Sequence, residues 1–495
     1  MMKPQLMTTK NTNRNGSVLL TILIIMFVLT IAMGSLLTLS TQYFFSTQTK
    51  VDAAQALYYA EAGVEEACQF VSERGVNIPD SYSGTGTNGV GSFDWDLEKT
   101  NFYSGNIVSV GEFNGQRKAI EIRNARSATY AQFAFWAENN LSIYFKNGET
   151  FWGHIHTDSK PWFSGDPEFN DVFTTLANSY GGSTNSVDFK SGFKMNTAMG
   201  SMAEIDFDDM KYFAQTYPDN ALLLTGATSF KFDGNQVLIT NEAYGWDEEP
   251  YTLDSEKLIY IQDGTIDTTE SYYQYVGKKK GDYNYSRRYG YYYAGYNKGY
   301  YDLSTRTVTQ NSPGSLSLDG GDLDGRLTIV TEDDIYINDH TEYALDPLDN
   351  DAVNDAIAYA KDNNLPSEYT DVVNDALGLI SGDDVIITGY APDNIHIDAT
   401  IMATGSKSPS NDPGSFYVEN YTSYDPRGFI NLLGGIVQEE RGPVGSFSTY
   451  TGKTSHSFDK NYVFDWRFAY MPPPFYPPLY SKLTFDSWQE ISPES

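Results

Sequence analysis

The clearest group of residues that could do chemistry is a His-x-His-x-Asp motif. His154, His156 and Asp158 alternate with other residues, so on a β-strand the three side chains would face one side. Imidazole and carboxylate groups on one side could converge on a metal ion. The spacing fixes no fourth ligand, and the chain has 5 histidines in all. The alternative is that these groups hydrogen-bond neighbouring strands beside Trp152 and Trp162.

A second candidate is a set of aspartates between residues 319 and 334, for which the chemistry would be calcium binding. Calcium prefers carboxylate and backbone oxygens, and exposed turns supply both. The segment lacks the ligand order of an EF-hand loop, so solvated turns are the alternative. The residues are Asp319, Asp322, Asp324, Asp333 and Asp334.

A third candidate is the segment 271–302, in which tyrosine recurs with glycine and basic residues. A tyrosine face next to arginine suits recognition of a partner or stacking on sugar rings, because tyrosine offers a large rigid contact at low entropic cost. The segment predicts a surface for a glycan or cell-surface ligand, and a solvated loop is the alternative. The contact residues would be Arg287, Arg288, Tyr289, Tyr291, Tyr292 and Tyr293.

No spacing in the chain is typical of catalysis. It has no Ser-His-Asp arrangement, no phosphate-binding glycine loop and no acid pair at a recognisable spacing. Its single cysteine, Cys68, excludes an intramolecular disulfide and a cysteine-based zinc site. We therefore predict a protein that is not an enzyme and has no cofactor other than calcium. The alternative is a membrane-anchored β-helix enzyme whose paired acids act on extracellular polysaccharide.

The composition predicts a folded, β-rich extracellular protein. The formal net charge of -32 makes nucleic acid and anionic membrane surfaces poor partners for the body of the chain. Aromatic residues reach 15%, with 38 Tyr and 42 Gly, which is far from a disordered composition.

The N-terminus predicts a membrane-spanning helix. Residues 1–16 carry Lys3, Lys10 and Arg14 and no acid, and residues 17–39 are apolar. A helix over 17–39 would be roughly 35 Å long, enough for a hydrocarbon core of about 30 Å. The basic side comes first, so the positive-inside rule leaves the leader in the cytoplasm and exports the rest across the cytoplasmic membrane.

The helical pattern continues beyond the apolar run. Apolar residues recur at helical spacing to about residue 75, where Gly75 would end the helix. The predicted stripe consists of Val51, Ala54, Leu57, Tyr58, Val64, Ala67, Phe70 and Val71.

This region resembles the leader and long helix of type IV pilins and type II secretion pseudopilins, PilX-type and K-type minor subunits in particular. The matching features are the short basic leader, Gly16 before the apolar run, and ALYYAEAGVEEA at 56–67, which is similar to the AFYxAEAGxExA box of these proteins. The resemblance implies that prepilin peptidase cuts between Gly16 and Ser17. It also implies that the helix then leaves the membrane to join other pilin subunits in an extracellular or periplasmic filament.

Two positions depart from the major pilins. Ser17 stands at the first mature position, where Phe is usual, and Thr21 stands at the fifth, where Glu is usual. The resemblance implies that this Glu pairs with the N-terminal amine of a neighbouring subunit, and a buried unpaired charge costs several kcal/mol. Thr21 cannot form the pair, which fits a rare subunit at or near a fibre tip. An anchor that is never cleaved is the alternative.

The remaining chain reads as mainly β. Residues 82–90 predict a linker, and the alternation over 91–126 predicts a small antiparallel sheet. Many later strands of four to six residues favour an irregular β-solenoid, with a β-sandwich as the competitor. Segments 151–175 and 381–495 also loosely resemble large PilX-associated envelope proteins. The predicted parts are leader 1–16, long helix 17–75, pilin-like sheet 76–128, β-rich ectodomain 129–348, helical insert 349–380, and C-terminal β-coils with a Pro-rich tail 381–495.

Overall fold

The structure of the chain is a computed structural model, and it falls into two compact units. Unit 1 comprises the described parts of Met1–Arg74, Ile78–Arg126 and Thr484–Ser495, and unit 2 those of Gly75–Asn77 and Ser127–Leu483. The described residues are 15–74, 79, 81–101, 104–184, 186–199, 207–276, 283–285, 292–294, 300–345, 347, 374–405, 412–448, 452–469, 471–485 and 487–493.

Two α-helices and many short strands make up the described chain. After helix α1, Asn15–Arg74, the strands are β1 Ser81–Thr87, β2 Gly91–Asn101, β3 Ser104–Phe113, β4 Gln116–Thr129, β5 Phe135–Asn139, β6 Tyr144–Lys146, β7 Thr150–Trp152, β8 Ile155–Thr157, β9 Trp162–Ser164, β10 Glu168–Phe169, β11 Phe173–Thr175, β12 Gly181–Gly182, β13 Asp188–Phe189 and β14 Phe193–Lys194. After helix α2, Phe207–Thr216, they are β15 Ala221–Thr225, β16 Thr228–Gly234, β17 Gln236–Asn241, β18 Trp246–Thr252, β19 Lys257–Gln262, β20 Gly264–Val276, β21 Tyr283–Tyr285, β22 Tyr292–Ala294, β23 Tyr300–Ser312, β24 Leu316–Leu323, β25 Arg326–Thr331, β26 Ile335–Ile337 and β27 Thr341–Tyr343. The last are β28 Ala376–Ser381, β29 Val385–Ile387, β30 His396–Ala403, β31 Phe416–Val418, β32 Pro426–Glu440, β33 Gly445–Phe447, β34 Thr454–Val463, β35 Pro478–Thr484 and β36 Ser487–Ile491. Short 3-10 helices lie at Tyr130–Gln132, Tyr421–Ser423 and Trp466–Ala469.

Unit 1 is one long helix on a small antiparallel sheet. Helix α1 is continuous over 60 residues, which confirms the long N-terminal helix. Strands β1 to β4 pair antiparallel in chain order, and β36 pairs with β4. The second half of α1 packs on β2 and β3.

Strand β1 corrects the linker predicted over 82–90. The segment is glycine-rich because its neighbours are large: a Cβ atom on Gly84 would meet the ring of Trp95, and one on Gly86 would meet the ring of Phe93. Glycine inside a strand commonly marks such a close approach. The glycines of this segment therefore belong to a strand that lies against aromatic rings.

Unit 2 consists mostly of short strands in parallel sheets. Its first ladder, which we call the parallel stack, runs in space β15-β19-β25-β28-β30-β32-β5-β8-β11-β14. One register column crosses all of these strands and is apolar throughout. Its residues are Leu222, Ile259, Ile329, Leu379, Ile401, Ile436, Phe135, Ile155, Phe173 and Phe193.

The order of strands in the parallel stack differs from their order in the chain. Strands β5 to β14 follow each other outward from β5, and strands β15 to β32 return toward it from the far end. The two runs meet where β32 pairs with β5, Ile436 beside Phe135. Contacts at this junction join segments that are distant in sequence.

Two further parallel ladders accompany the stack. The second runs β16-β24-β27-β30-β32-β34-β7-β10-β13. The third runs β24-β26-β29-β31. Strands β6, β9 and β12 form a separate three-stranded parallel sheet. Strands β24, β30 and β32 are long enough to contribute to two ladders each.

The helical insert predicted over 349–380 is wrong at its C-terminal end. Residues 376–381 form β28, buried along its whole length between the parallel partners β25 and β30. A short apolar run fits a buried strand and a helix equally well, and here two neighbouring strands complete its hydrogen bonds. Of the rest of the predicted insert, residues 349–373 lie outside the described residues.

Candidate functional sites

The first half of α1 is an apolar surface that nothing in the described chain covers. Every side chain described from Val18 to Lys50 is exposed. The segment Val18–Ser72 is long and apolar enough to cross a membrane, as judged by length and composition. Such a surface is far larger than the apolar patches that soluble monomers present to water.

Four hydroxyl groups in this half form hydrogen bonds within the helix. Thr30, Ser35, Thr38 and Thr41 each donate to the backbone carbonyl four residues earlier, over 2.7 to 2.9 Å. A polar group placed in an apolar environment without a hydrogen bond costs free energy. These side chains therefore suit a helix surrounded by lipid or by other helices.

The segment 56–67 packs on the sheet through small side chains. Ala56, Ala60, Gly63 and Ala67 lie on the buried face of α1. Gly111 of β3 approaches so closely that a Cβ atom there would meet the carbonyl oxygen of Ala56 and the backbone nitrogen of Ala60. Small residues at these positions are therefore a steric requirement for docking the helix on the strand.

This packing corrects the apolar stripe predicted for the second half of α1. Ala67 and Val71 are buried as predicted, but Val51 and Tyr58 are exposed. The buried face is the one whose side chains are small enough for close approach, because interiors are packed without voids.

The structure links His154, His156 and Asp158 in one chain of hydrogen bonds that includes a threonine hydroxyl. Oγ1 of Thr174, on the neighbouring strand, lies 2.9 Å from Nε2 of His154 and 2.8 Å from Nδ1 of His156. Nε2 of His156 donates to the Asp158 carboxylate over 2.7 Å. Both ring nitrogens of the fully buried His156 thus have protein partners, and a metal ion could bind its imidazole only by displacing one of them.

The aspartates of β24 and its turn do not form one cluster. Asp319 accepts hydrogen bonds from Asn338 (2.8 Å), Ser317 (3.2 Å) and Ser229. Asp322 lies instead in a groove described below, and Asp324 is exposed beyond the end of β24.

A different trio of aspartates has the geometry to hold a cation. Carboxylate oxygens of Asp333, Asp334 and Asp383 lie within 4.8 Å of one another. Burial, followed by the neighbouring charge of Asp334, raises the pKa of Asp333. The sequence predicts Asp333 and Asp334 as calcium ligands but gives no sign of Asp383, which the parallel pairing of β26 with β29 brings alongside.

The tyrosine-rich segment lies at the end of a long antiparallel hairpin. Strands β20 and β23 pair from Gly264 with Ser312 to Val276 with Tyr300. Within 277–299, only the short strands β21 and β22 are described, and they pair with each other. The side chains of Arg287, Arg288, Tyr289, Tyr291, Tyr292 and Tyr293 lie outside the described part of the structure.

A groove of about 530 Å³ crosses the second ladder of unit 2, and sequence analysis missed it. It lies on strands β24, β27, β30, β32 and β34, which are neighbours in that order. Three carboxylates, one imidazole and two amides line it together with apolar residues. The polar residues are Asp322, Glu342, Asp398, His396, Asn431 and Asn461.

The imidazole of His396 links the polar groups of this groove. Its Nδ1 lies 3.4 Å from the Glu342 carboxylate, and its Nε2 lies 3.3 Å from Nδ2 of Asn431. Nδ2 of Asn461 donates to Oδ1 of Asn431 over 2.9 Å. The alternation His396–Asp398 was visible in the sequence, but its neighbours come from strands that only the registers identify.

Comparison with known proteins finds a likeness among solved structures. No protein-family model matches the chain, and no curated protein sequence matches it. The structure is similar to that of the competence-associated pilin ComZ from Thermus thermophilus, with 13% sequence identity and a TM-score of 0.27. The match covers 89% of this chain and 98% of that one.

Proposed function

We propose that this chain is a minor subunit of a type IV pilus or a type II secretion-type filament. One observation carries the proposal: α1 is a single helix whose exposed apolar half continues without a break into a half packed on its own sheet. A simple membrane anchor does not require this continuity. A subunit that leaves the membrane as a rigid helix with its head attached does.

The length of α1 supports a position in the cytoplasmic membrane before assembly. At about 1.5 Å per residue the helix extends roughly 90 Å, whereas about 20 residues cross the hydrocarbon core. The apolar half fills that core, and the half that carries the sheet stands outside it. Lys3, Lys10 and Arg14 precede the helix, which keeps the leader in the cytoplasm.

Assembly would exchange lipid contacts for contacts with other pilin subunits. Because the hydroxyls of Thr30, Ser35, Thr38 and Thr41 already bond to their own helix, they can be packed against neighbouring helices without being left unpaired. Prepilin peptidase is the proposed processing partner, and Gly16 and Ser17 flank the proposed cut. Thr21 brings no charge to the interface, which fits a PilX-type subunit at or near the fibre tip.

Unit 2 is the proposed ectodomain, and we propose that its three parallel ladders are the faces of one β-solenoid, with the separate sheet of β6, β9 and β12 continuing the third face. The long strands β24, β30 and β32 support this, since each leaves one ladder and continues in another. Each turn of such a coil would pair its backbone with the next turn, which suits a fold without disulfides. The segment 271–302 is its proposed adhesive extension.

N-terminal mass spectrometry of the membrane-extracted protein tests the proposal. Processing predicts Ser17 as the first residue, and Gly16→Glu should abolish the cut because only a small residue fits before the apolar run. Gly34→Ala, in the same exposed half of α1, is the matched control, since its Cβ atom would have open space. An intact Met1 in mature protein would overturn the proposal and favour an anchored enzyme that acts on polysaccharide.

A further inference from the structure

We propose that the groove across β24, β27, β30, β32 and β34 binds a glycan that has no acidic groups. The site goes beyond the proposed function, because a filament subunit would be processed and assembled without it. All described residues that line the groove belong to unit 2.

The registers place the polar side chains of the groove in two neighbouring columns. Asp322 pairs with Glu342, and the pairing of Thr341 with Ile397 brings Glu342 level with Asp398. Leu433 and Val463 continue this first column on the next two strands.

The second column lies two residues earlier on the same face of the ladder. His396 pairs with Asn431, and Asn431 pairs with Asn461. Residues two apart on a strand point to the same side, so both columns line one surface.

The chemistry of the lining selects the ligand. Three carboxylates accept hydrogen bonds from hydroxyl or amino groups, and among the described residues that line the groove there is no Lys or Arg to attract an acidic sugar. Asp398 already accepts from the backbone N–H of Tyr343 over 2.9 Å, which fixes the position of its carboxylate. The site is therefore rich in acceptors and suits a ligand rich in donors.

The apolar end of the first column complements the other surface of a sugar. The half-buried Val463 presents hydrocarbon beside the amides of Asn431 and Asn461, and the buried Leu433 also lines this end. A sugar ring has polar edges and an apolar C–H face, so it can satisfy both kinds of lining at once. Small-molecule sites commonly combine apolar walls with a few placed polar groups.

The repeat of the groove favours a linear polymer over an isolated sugar. Neighbouring strands supply one set of side chains every ~4.8 Å. A chain of sugar units laid across the five strands would meet polar groups at each step. A basic peptide would find no carboxylate to pair with at the apolar end, because Leu433 and Val463 occupy the first column there.

Titration calorimetry on full-length protein in detergent tests the site with three probes: hexamers of glucosamine, N-acetylglucosamine and galacturonate. We expect the first two to bind and galacturonate not to bind. Glu342→Gln should weaken the glucosamine hexamer about tenfold, because it removes one charge that faces an amino group. Asn431→Ala should weaken both binding hexamers by a similar factor.

The control is Glu249→Gln, which removes the same charge from an exposed strand of unit 2 outside the groove lining. Equal weakening by the control, equal binding of galacturonate, or no binding of either expected hexamer would overturn the proposal. Cleavage of a bound hexamer would also overturn it, because the site would then be catalytic. Unfolding midpoints close to wild type confirm that Glu342→Gln and Asn431→Ala report on binding. Processing at Gly16 is measured separately, so failure here leaves the filament proposal intact.

Discussion

Arg441 donates a hydrogen bond of 2.9 Å from Nη1 to Oδ1 of Asn140, which lies 301 residues earlier in the chain. The same guanidinium reaches the carbonyl of Ile143 (3.1 Å) and lies 4.0 Å from the ring centre of Phe145. It is buried, and burial lowers the pKa of Arg441 to about 10. The guanidinium therefore stays charged at neutral pH, and its hydrogen bonds hold together the chain segments that follow β32 and β5.

Arg441→Ala should lower the free energy of unfolding of unit 2 by about 3 kcal/mol, since it leaves buried acceptors without a donor. Denaturant midpoints would show the change. Arg306→Ala removes an exposed guanidinium paired with Glu270 and should cost less than about 1 kcal/mol. Equal effects of the two variants would contradict the role of Arg441.

Gly111→Ala should prevent α1 from docking on its sheet. The added methyl group would meet backbone atoms of Ala56 and Ala60, which cannot rotate away as a side chain can. Overpacking typically costs about 1–3 kcal/mol, and a clash with backbone belongs at the upper end. Limited proteolysis should cut unit 1 faster, whereas Gly34→Ala should leave the rate unchanged.

The stability of unit 2 should fall as pH rises from about 4 to about 7. Burial, opposed by a hydrogen bond from Ser415 and reinforced by the charges of Asp383 and Asp334, raises the pKa of Asp384 from 3.8 to about 7. The folded state therefore binds a proton that the unfolded state has released in this window, so stability decreases with pH.

Asp384→Asn should flatten this dependence, because the amide oxygen can still accept from the Ser415 N–H, which donates over 2.7 Å in the native protein. The measurement is the unfolding midpoint between pH 4 and pH 8. The exposed Asp425→Asn is the control and should keep the wild-type slope. An unchanged slope in Asp384→Asn would refute the assignment.

Removing residues 277–299 should preserve folding and reduce adhesion. Val276 and Tyr300 form the last pair of the β20–β23 hairpin, so an Asn-Gly turn could join them. Binding of cells to surfaces should fall, and added salt should weaken what remains. Normal adhesion at normal protein levels would mean that the segment is only a solvated loop.

The protein should be scarce in sheared filaments. A unit of more than 300 residues is too bulky to repeat along a tightly packed helical core, and Thr21 lacks the usual assembly charge. Quantitative proteomics measures the ratio of subunits. Finding this chain as the most abundant pilin would contradict a role at the tip.

Much of the secondary structure follows from local patterns, whereas the pairing of strands does not. The apolar run of α1 and the short apolar runs of β19 and β25 can be recognised because each is a continuous apolar stretch, long enough for a membrane-spanning helix in the first case and of strand length in the others. The strand β1 was mistaken for a linker because its glycines serve Trp95 and Phe93, which belong to another strand. Residues 376–380 were mistaken for helix because a buried strand and a helix can share one short apolar sequence.

The candidate sites show the same division. His154 and His156 share the hydroxyl group of Thr174, and Asp158 contacts His156. The alternation in the sequence predicts that the three lie on one side, but only the register identifies Thr174. The groove escaped notice because Glu342, His396 and Asn431 come from three strands whose adjacency depends on nonlocal pairing. The local sequence indicates on which face of a strand a residue lies, but it does not indicate which residue lies beside it on the neighbouring strand.

The pairing of β5 with β32 means that the first strands of unit 2 to be synthesised must wait for a late one before the ladder is complete. If the chain emerges from its N-terminus, β5 to β14 leave the translocation channel first, yet one edge of β5 stays unpaired until residues 426–440 follow. An open strand edge invites pairing with another chain, and contacts of such long range form slowly. A chaperone outside the membrane that shields this edge would therefore raise the yield of folded protein, whereas truncation before residue 426 should yield aggregates.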